Sequence, residues 1–249
     1  MYHKTTCFLP LFLLFIILST NLSAQETNQN TICPVKDRAC ILKQVIEGTA
    51  LINNTAWRDQ TYREIAKTYA FDKKFNLAVN IITKIQTPDT KAMTIRGIGM
   101  ALAPQGYNPK DLDTMFSTLR AEAEKISHPA SYAIALTYIA MAQAFAGDNE
   151  GAWKTASDMQ NDALRHKAYG ETAEIQAEKG DFKSAQISIE KIESLSFRNK
   201  AYNIVSRILS DHDLFQDAYT AANAITNPYK KAQATQYMLD KQSPREIKH

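Results

Sequence analysis

Gly180-Asp181-Phe182-Lys183-Ser184-Ala185 is the stretch on which the fold turns, because its parts recur along the chain. Phe182-x-x-Ala185 is followed 33 residues later by Phe215-x-x-Ala218 and preceded at the same spacing by Asn149-x-x-Ala152, while Phe75-x-x-Ala78 copies the unit further upstream. A period of this length marks a helical solenoid, whose units stack because none can bury its apolar face alone. Gly180 is placed to end one helix in a left-handed conformation and Asp181 to open the next, and Gly147-Asp148 repeats that signal.

Working outward from the four alanines, Tyr62, Leu136, Tyr169 and Tyr202 stand sixteen residues earlier, and Ala66, Ala140, Ala173 and Ser206 twelve earlier. A large and then a small residue one turn apart is a helix-packing pattern. Ile85, Met159, Ile192 and Ile225 follow the alanines by seven residues, and Pro88 and Pro228 follow two of them by ten. Each unit therefore reads as helix, tight turn, helix, breaker. A further unit appears if an insertion is allowed: Ile95, Ile98 and Gly99 match the first helix, and Phe116-x-x-Leu119, Ile126 and Pro129 the second. The insert, Pro104 to about Asp111, holds the turn-forming run Gln105-Gly106-Tyr107-Asn108-Pro109 and is expected to stand out from the edge, as a binding contact or as a tolerated loop. Leu42, Val45 and Ile52 fall in register as a lone second helix, and Tyr229 to Asp240 gives one final helix, so both ends serve as caps.

The first 24 residues read as a secretory signal peptide: Lys4 supplies the charge, Phe8 to Leu18 the apolar run, and cleavage is expected after Ala24. The run is short for a bilayer span, although an uncleaved anchor remains the alternative, since Leu22 is larger than the residue preferred before the cut. Residues 25–31 form a polar linker, 32–242 the repeat domain and 243–249 a polar tail. Export, to a periplasm or to the medium, agrees with the cysteines: Cys7 leaves with the signal, and Cys33 and Cys40 remain as an even pair suited to an oxidising compartment. They are read as a disulfide, against two buried thiols or a metal pair. A continuous helix would hold their Cα atoms about 10.5 Å apart, too far for a bridge, so Cys33 lies off a helix that Asp37 caps and that places Cys40 in its first turn.

This constellation resembles the tetratricopeptide repeat family: the aromatic residue or Leu opening the first helix, the small residue four later, Gly-Asp-Phe at the turn, Ala three after that Phe, the closing apolar residue and the Pro between units. The match covers most of Ala56 to Asp240. It departs from the family in running 33 residues per unit where the family uses 34, and in leaving Trp57 and Trp153 outside the large opening position. The resemblance implies an all-α, right-handed solenoid of stacked antiparallel hairpins, about five repeats plus terminal caps. It also implies that ligands lie along a concave face lined by the first helices. The outward positions there are Met93, Arg96, Met100, Ile134, Tyr138, Met141 and Phe145, then Lys167, Glu171, Glu174, Lys200, Asn203 and Arg207. The first group is apolar and Met-rich, suited to an extended or helical peptide, unless those side chains pack between helices as core.

Signatures of chemistry are sparse. The chain contains no Gly-rich phosphate loop, His-Glu-x-x-His motif, nucleophile elbow or paired Cys at zinc spacing, and no catalytic residue, cofactor or metal is expected. His128 precedes Pro129 at a repeat junction and reads as a helix-end residue, while Asp211-His212-Asp213 falls where other units carry Gly-Asp and reads as a solvated turn. With a net charge of +3 and interleaved charges, nothing marks a nucleic-acid stripe. The expected function is that of an exported, non-catalytic scaffold for a protein or peptide, or else of a structural, self-associating component of an envelope or secreted assembly.

Overall fold

The computed structural model describes residues 32–243, so the expected signal peptide, the linker up to residue 31 and tail residues 244–249 lie outside the described residues. Among the described residues the chain forms twelve α-helices and one 3-10 turn. They are α1 (Arg38–Ala50), α2 (Thr55–Phe71), α3 (Phe75–Ile82), α4 (Pro88–Leu102), the 3-10 turn (Ala103–Gln105), α5 (Pro109–Glu124) and α6 (Pro129–Ala146). Then come α7 (Asn149–Ser157), α8 (Asp162–Glu178), α9 (Phe182–Glu190), α10 (Leu195–Asp211), α11 (Phe215–Asn223) and α12 (Pro228–Gln242). None is long and apolar enough to cross a membrane.

Helices pack in sequential pairs. The hairpins are α2 with α3, α4 with α5, α6 with α7, α8 with α9 and α10 with α11; among the described residues α1 packs on α2 as a second helix without a first, and α12 on α10 and α11 as a first helix without a second. The first helices α2, α4, α6, α8, α10 and α12 also lie side by side along the whole stack, whereas among the second helices only α3 and α5 make more than marginal contact.

The repeat register explains this packing. Ala78, Ala152, Ala185 and Ala218 are all fully buried, as are the small residues Ala66, Ala140, Ala173 and Ser206, and Tyr62, Leu136, Tyr169 and Tyr202 are buried beside them. Methyl groups at these positions let helix backbones approach, and the large residue one turn away fills the space that opens. Ile85, Met159, Ile192 and Ile225 close each unit from within the core.

The turns follow the reading of Gly and Asp. Gly147 (φ 89°) and Gly180 (φ 74°) are left-handed, and the Asp148 and Asp181 side chains accept from Gly151 N at 2.9 Å and Ser184 N at 3.0 Å. The same turn position in the flanking units is held by Lys73 (φ 58°) and Asp213 (φ 60°), where a Cβ makes the conformation unfavourable by about 1 kcal/mol. Two further polar devices recur. Arg58, Arg165 and Arg198 each donate to the carbonyl six residues earlier, that of Ile52, Met159 and Ile192, tying the end of one unit to the start of the next. Between paired helices, Thr155 donates to Gln143 Oε1 at 2.7 Å and Ser188 to Gln176 Oε1 at 2.6 Å, both buried. In the last hairpin the corresponding Leu209 and Ala221 are fully buried and apolar.

Cys33 and Cys40 are joined, with Cα atoms 5.8 Å apart, and Asp37 caps α1 by accepting from Cys40 N at 2.9 Å. Two expectations are corrected. Val45 is 41% exposed and Ile46 packs on the core in its place, so the inward flank of α1 is shifted by one residue. The insert does not stand out freely: Gln105 donates to Ala70 O at 2.9 Å and to Ala101 O at 2.6 Å, and Tyr107 packs against the core.

Candidate ligand-binding face

The outward positions of α4, α6, α8 and α10 form one continuous strip, since residues three and four apart share a helix face. None of its members is buried: Arg96, Lys167, Lys200 and Arg207 are exposed, and Met93, Met100, Ile134, Tyr138, Met141, Phe145, Glu171, Glu174 and Asn203 half-buried. Met100 and Ile134 also pack against the core. The strip is cross-linked between neighbouring first helices. The Arg96 guanidinium lies 5.2 Å from the centre of the Tyr138 ring, and Arg207 lies 4.3 Å from that of Tyr237. Lys179 lies over Phe145 and donates to its carbonyl oxygen at 2.8 Å.

Along the strip the seams between helices differ. Where α4 meets α6, a Cβ added at Gly99 would fall 2.9 Å from the Ala142 Cβ, so the close approach depends on glycine. Where α8 meets α10, a Cβ at Gly170 would meet nothing nearer than the Ala201 Cβ at 4.0 Å. This looser seam holds a cavity of about 120 Å³ floored by Gly170, Ala201 and Ile204, walled by His166 and Phe197, and rimmed by Lys167, Glu171, Glu174 and Lys200. The sequence therefore places Lys167, Glu171 and Glu174 at one cavity, Met93, Arg96, Met100, Ile134, Tyr138 and Met141 at the sealed seam, and Arg207 further along beside Tyr237.

His166 is the cavity residue that pattern reading passes over. It stands nineteen residues before its marker alanine, the position held by Asp59 and Asn199 in other units. There Asp59 accepts from Gln86 N at 3.0 Å and Thr87 N at 2.7 Å, and Asn199 accepts from Thr226 N at 2.9 Å; both side chains latch the following helix junction. His166 makes no such latch. It is 7% exposed, its Nε2 is buried without a hydrogen-bond partner, and its ring centre lies 5.6 Å from that of Phe197.

The charges on the rim are unevenly matched. Lys167 Nζ is 3.5 Å from Glu171 Oε1, and Glu178 lies 2.9 Å from His212 Nε2. Burial, reinforced by Glu171 and Glu178 and only partly opposed by Lys200, pushes the Glu174 carboxyl above the usual range. The remaining polar candidates are engaged elsewhere. His128 caps α6 by accepting from Ser131 N at 3.3 Å, Asp211 holds Lys241 at 2.6 Å and Tyr237 at 2.7 Å, and Asp213 is the left-handed turn residue. No group of three or more His, Cys, Asp or Glu among the described residues is placed to hold a metal ion. Compared with known proteins, the chain matches no family model and no curated protein.

Proposed function

We propose that the chain is an exported, non-catalytic scaffold that recognises a protein or peptide along the first-helix face of a right-handed, tetratricopeptide-like solenoid. First helices that pack side by side, against second helices that scarcely touch, support a stack that bends around the first-helix side. The observation that supports the reading most is the make-up of these outward positions: α4 and α6 present half-buried Met, Tyr and Ile, and α8 and α10 present charge. Such a surface offers apolar burial at its centre and electrostatic steering at its rim. The Cys33–Cys40 bridge supports export, because disulfides persist in oxidising compartments. Affinity capture from native envelope or medium, repeated with folded Tyr138→Ala, tests the proposal; equal capture of the same partner by both proteins overturns it.

Self-association is the second reading, favoured by the N-terminal end. There Val35, Ile41, Leu42 and Val45 line a recess of about 540 Å³ between α1 and α2, and Leu51 and Trp57 are exposed nearby. Sedimentation of the protein at increasing concentration separates the two, because a monomer throughout removes self-association.

A further inference from the structure

We propose that the cavity between α8 and α10 is a socket for an alkylammonium group, the side chain of a lysine on the partner, with its methylenes against Gly170, Phe197 and Ile204 and its ammonium on the Glu174 carboxylate. This rests on reading the first-helix face as a recognition surface and names what one point of it takes.

Size comes first. About 120 Å³ is close to the roughly 150 Å³ of a cavity that admits benzene, so a four-carbon chain enters and a bulkier aromatic does not. The floor is apolar and made of small residues, which suits methylenes.

Charge selects the head group. Glu171 is engaged by Lys167 and Glu178 by His212, but the half-buried Glu174 carboxylate makes no hydrogen bond or ion pair among the described residues. Lys200 stands on the same rim and acts on it only through space. A partly desolvated carboxylate between two other carboxylates favours an incoming cation and repels an anion.

His166 lines the same cavity as a wall. Its equivalents in two other units spend their side chains on the next helix junction, whereas its own ring makes no hydrogen bond among the described residues.

The test uses n-butylammonium as probe, with butyrate and n-butanol as controls, followed through the His166 ring and Gly170 amide NMR signals of the folded protein. Saturable shifts with n-butylammonium, at a Kd of about 1 to 10 mM as befits so few ligand atoms, are expected. Butyrate should produce none, and n-butanol should bind at least about 5-fold more weakly for want of charge. Glu174→Gln should raise the Kd about 10-fold by removing the charge-assisted contact. Gly170→Ala, which narrows the floor without touching charge, should also weaken binding and gives the answer if Glu174→Gln does not fold. An equal response to butyrate or n-butanol, or an unchanged Kd in the folded variants, overturns the socket. Its failure is separable from failure of the scaffold reading, because partner capture is scored by Tyr138→Ala at the other seam and n-butylammonium binding needs no partner.

Discussion

The seam between α4 and α6 and the seam between α8 and α10 are built from the same repeat and end in opposite states. In the first, glycine lets α4 approach the Ala142 side chain of α6, and Arg96 lies over Tyr138. In the second, even a Cβ added at Gly170 would come no nearer to Ala201 than ordinary van der Waals contact, and the space beside them is lined by His166 and Phe197. The repeat thus fixes which helices are neighbours. A handful of residues on the outward face decides whether a seam is sealed or becomes a receptacle.

The strongest way to break this contrast is Gly99→Ala. The new Cβ would be forced against the Ala142 Cβ, and neither atom is the end of a flexible side chain that can swing away. Overpacking of this kind destabilises by about 1 to 3 kcal/mol, of which the better helix propensity of Ala returns about 1. A net loss of up to about 2 kcal/mol is expected in urea unfolding. An unchanged or raised midpoint would mean that the α4 and α6 seam is no tighter than its counterpart.

Next comes Tyr138→Ala, expected to weaken partner affinity by about 1 to 2 kcal/mol as the loss of a central aromatic contact. Its stability loss should be smaller, since a surface cation–π pair is worth about 0.5 to 1 kcal/mol. Lys167→Glu should leave the fold intact and mainly slow association, with an altered salt dependence. Surface plasmon resonance with the captured partner, alongside thermal melts, checks both. Gly170→Ala sharpens the contrast from the other side. Its Cβ has room, so the helix should gain about 0.5 to 1 kcal/mol where Gly99→Ala loses stability.

Hairpin architecture was legible in the sequence because it depends on periodic features: alanines at close approaches, Gly-Asp at turns and an aromatic residue or Leu one turn from each small residue. The charged rim of the cavity was legible too, as outward helix positions. The cavity itself was not, because a hollow is set by what fails to fill it, and Gly170 opposite Ala201 carries no motif. His166 had a signal in its register with Asp59 and Asn199, but their latching role emerges only when Gln86, Thr87 and Thr226 are seen to meet them. The arginine ties and the Gln–Thr and Gln–Ser pairs were likewise hidden, since their partners are a backbone carbonyl or a residue on the facing helix. Exposure of Val45 beside the core-packed Ile46 is a one-residue difference in which flank of α1 faces inward, which a register taken from distant units does not resolve.

The smallest expected effect is also the most diagnostic of the open seam. Burial together with Glu171 and Glu178 raises the Glu174 carboxyl above its unfolded value, and Lys200 offsets this only in part. For a group raised on folding, the associated stability is fully present below the unfolded pKa, about 4.3, and is lost as pH rises through the folded pKa. At pH 7 the ionised Glu174 therefore disfavours the fold, while Gln at that position carries no charge to desolvate. Glu174→Gln should raise stability at pH 7 by less than about 1 kcal/mol, because solvent screens a half-exposed group, and the gain should vanish towards pH 3 to 4 where the native carboxyl is protonated in both states. Added n-butylammonium should reverse the order at pH 7, stabilising the native protein by mass action and leaving the variant nearly unmoved. Melts at pH 3.5 and pH 7, with and without the amine, read both effects, and a variant less stable at pH 7 without ligand would show that Glu174 supports the seam and does not await a cation.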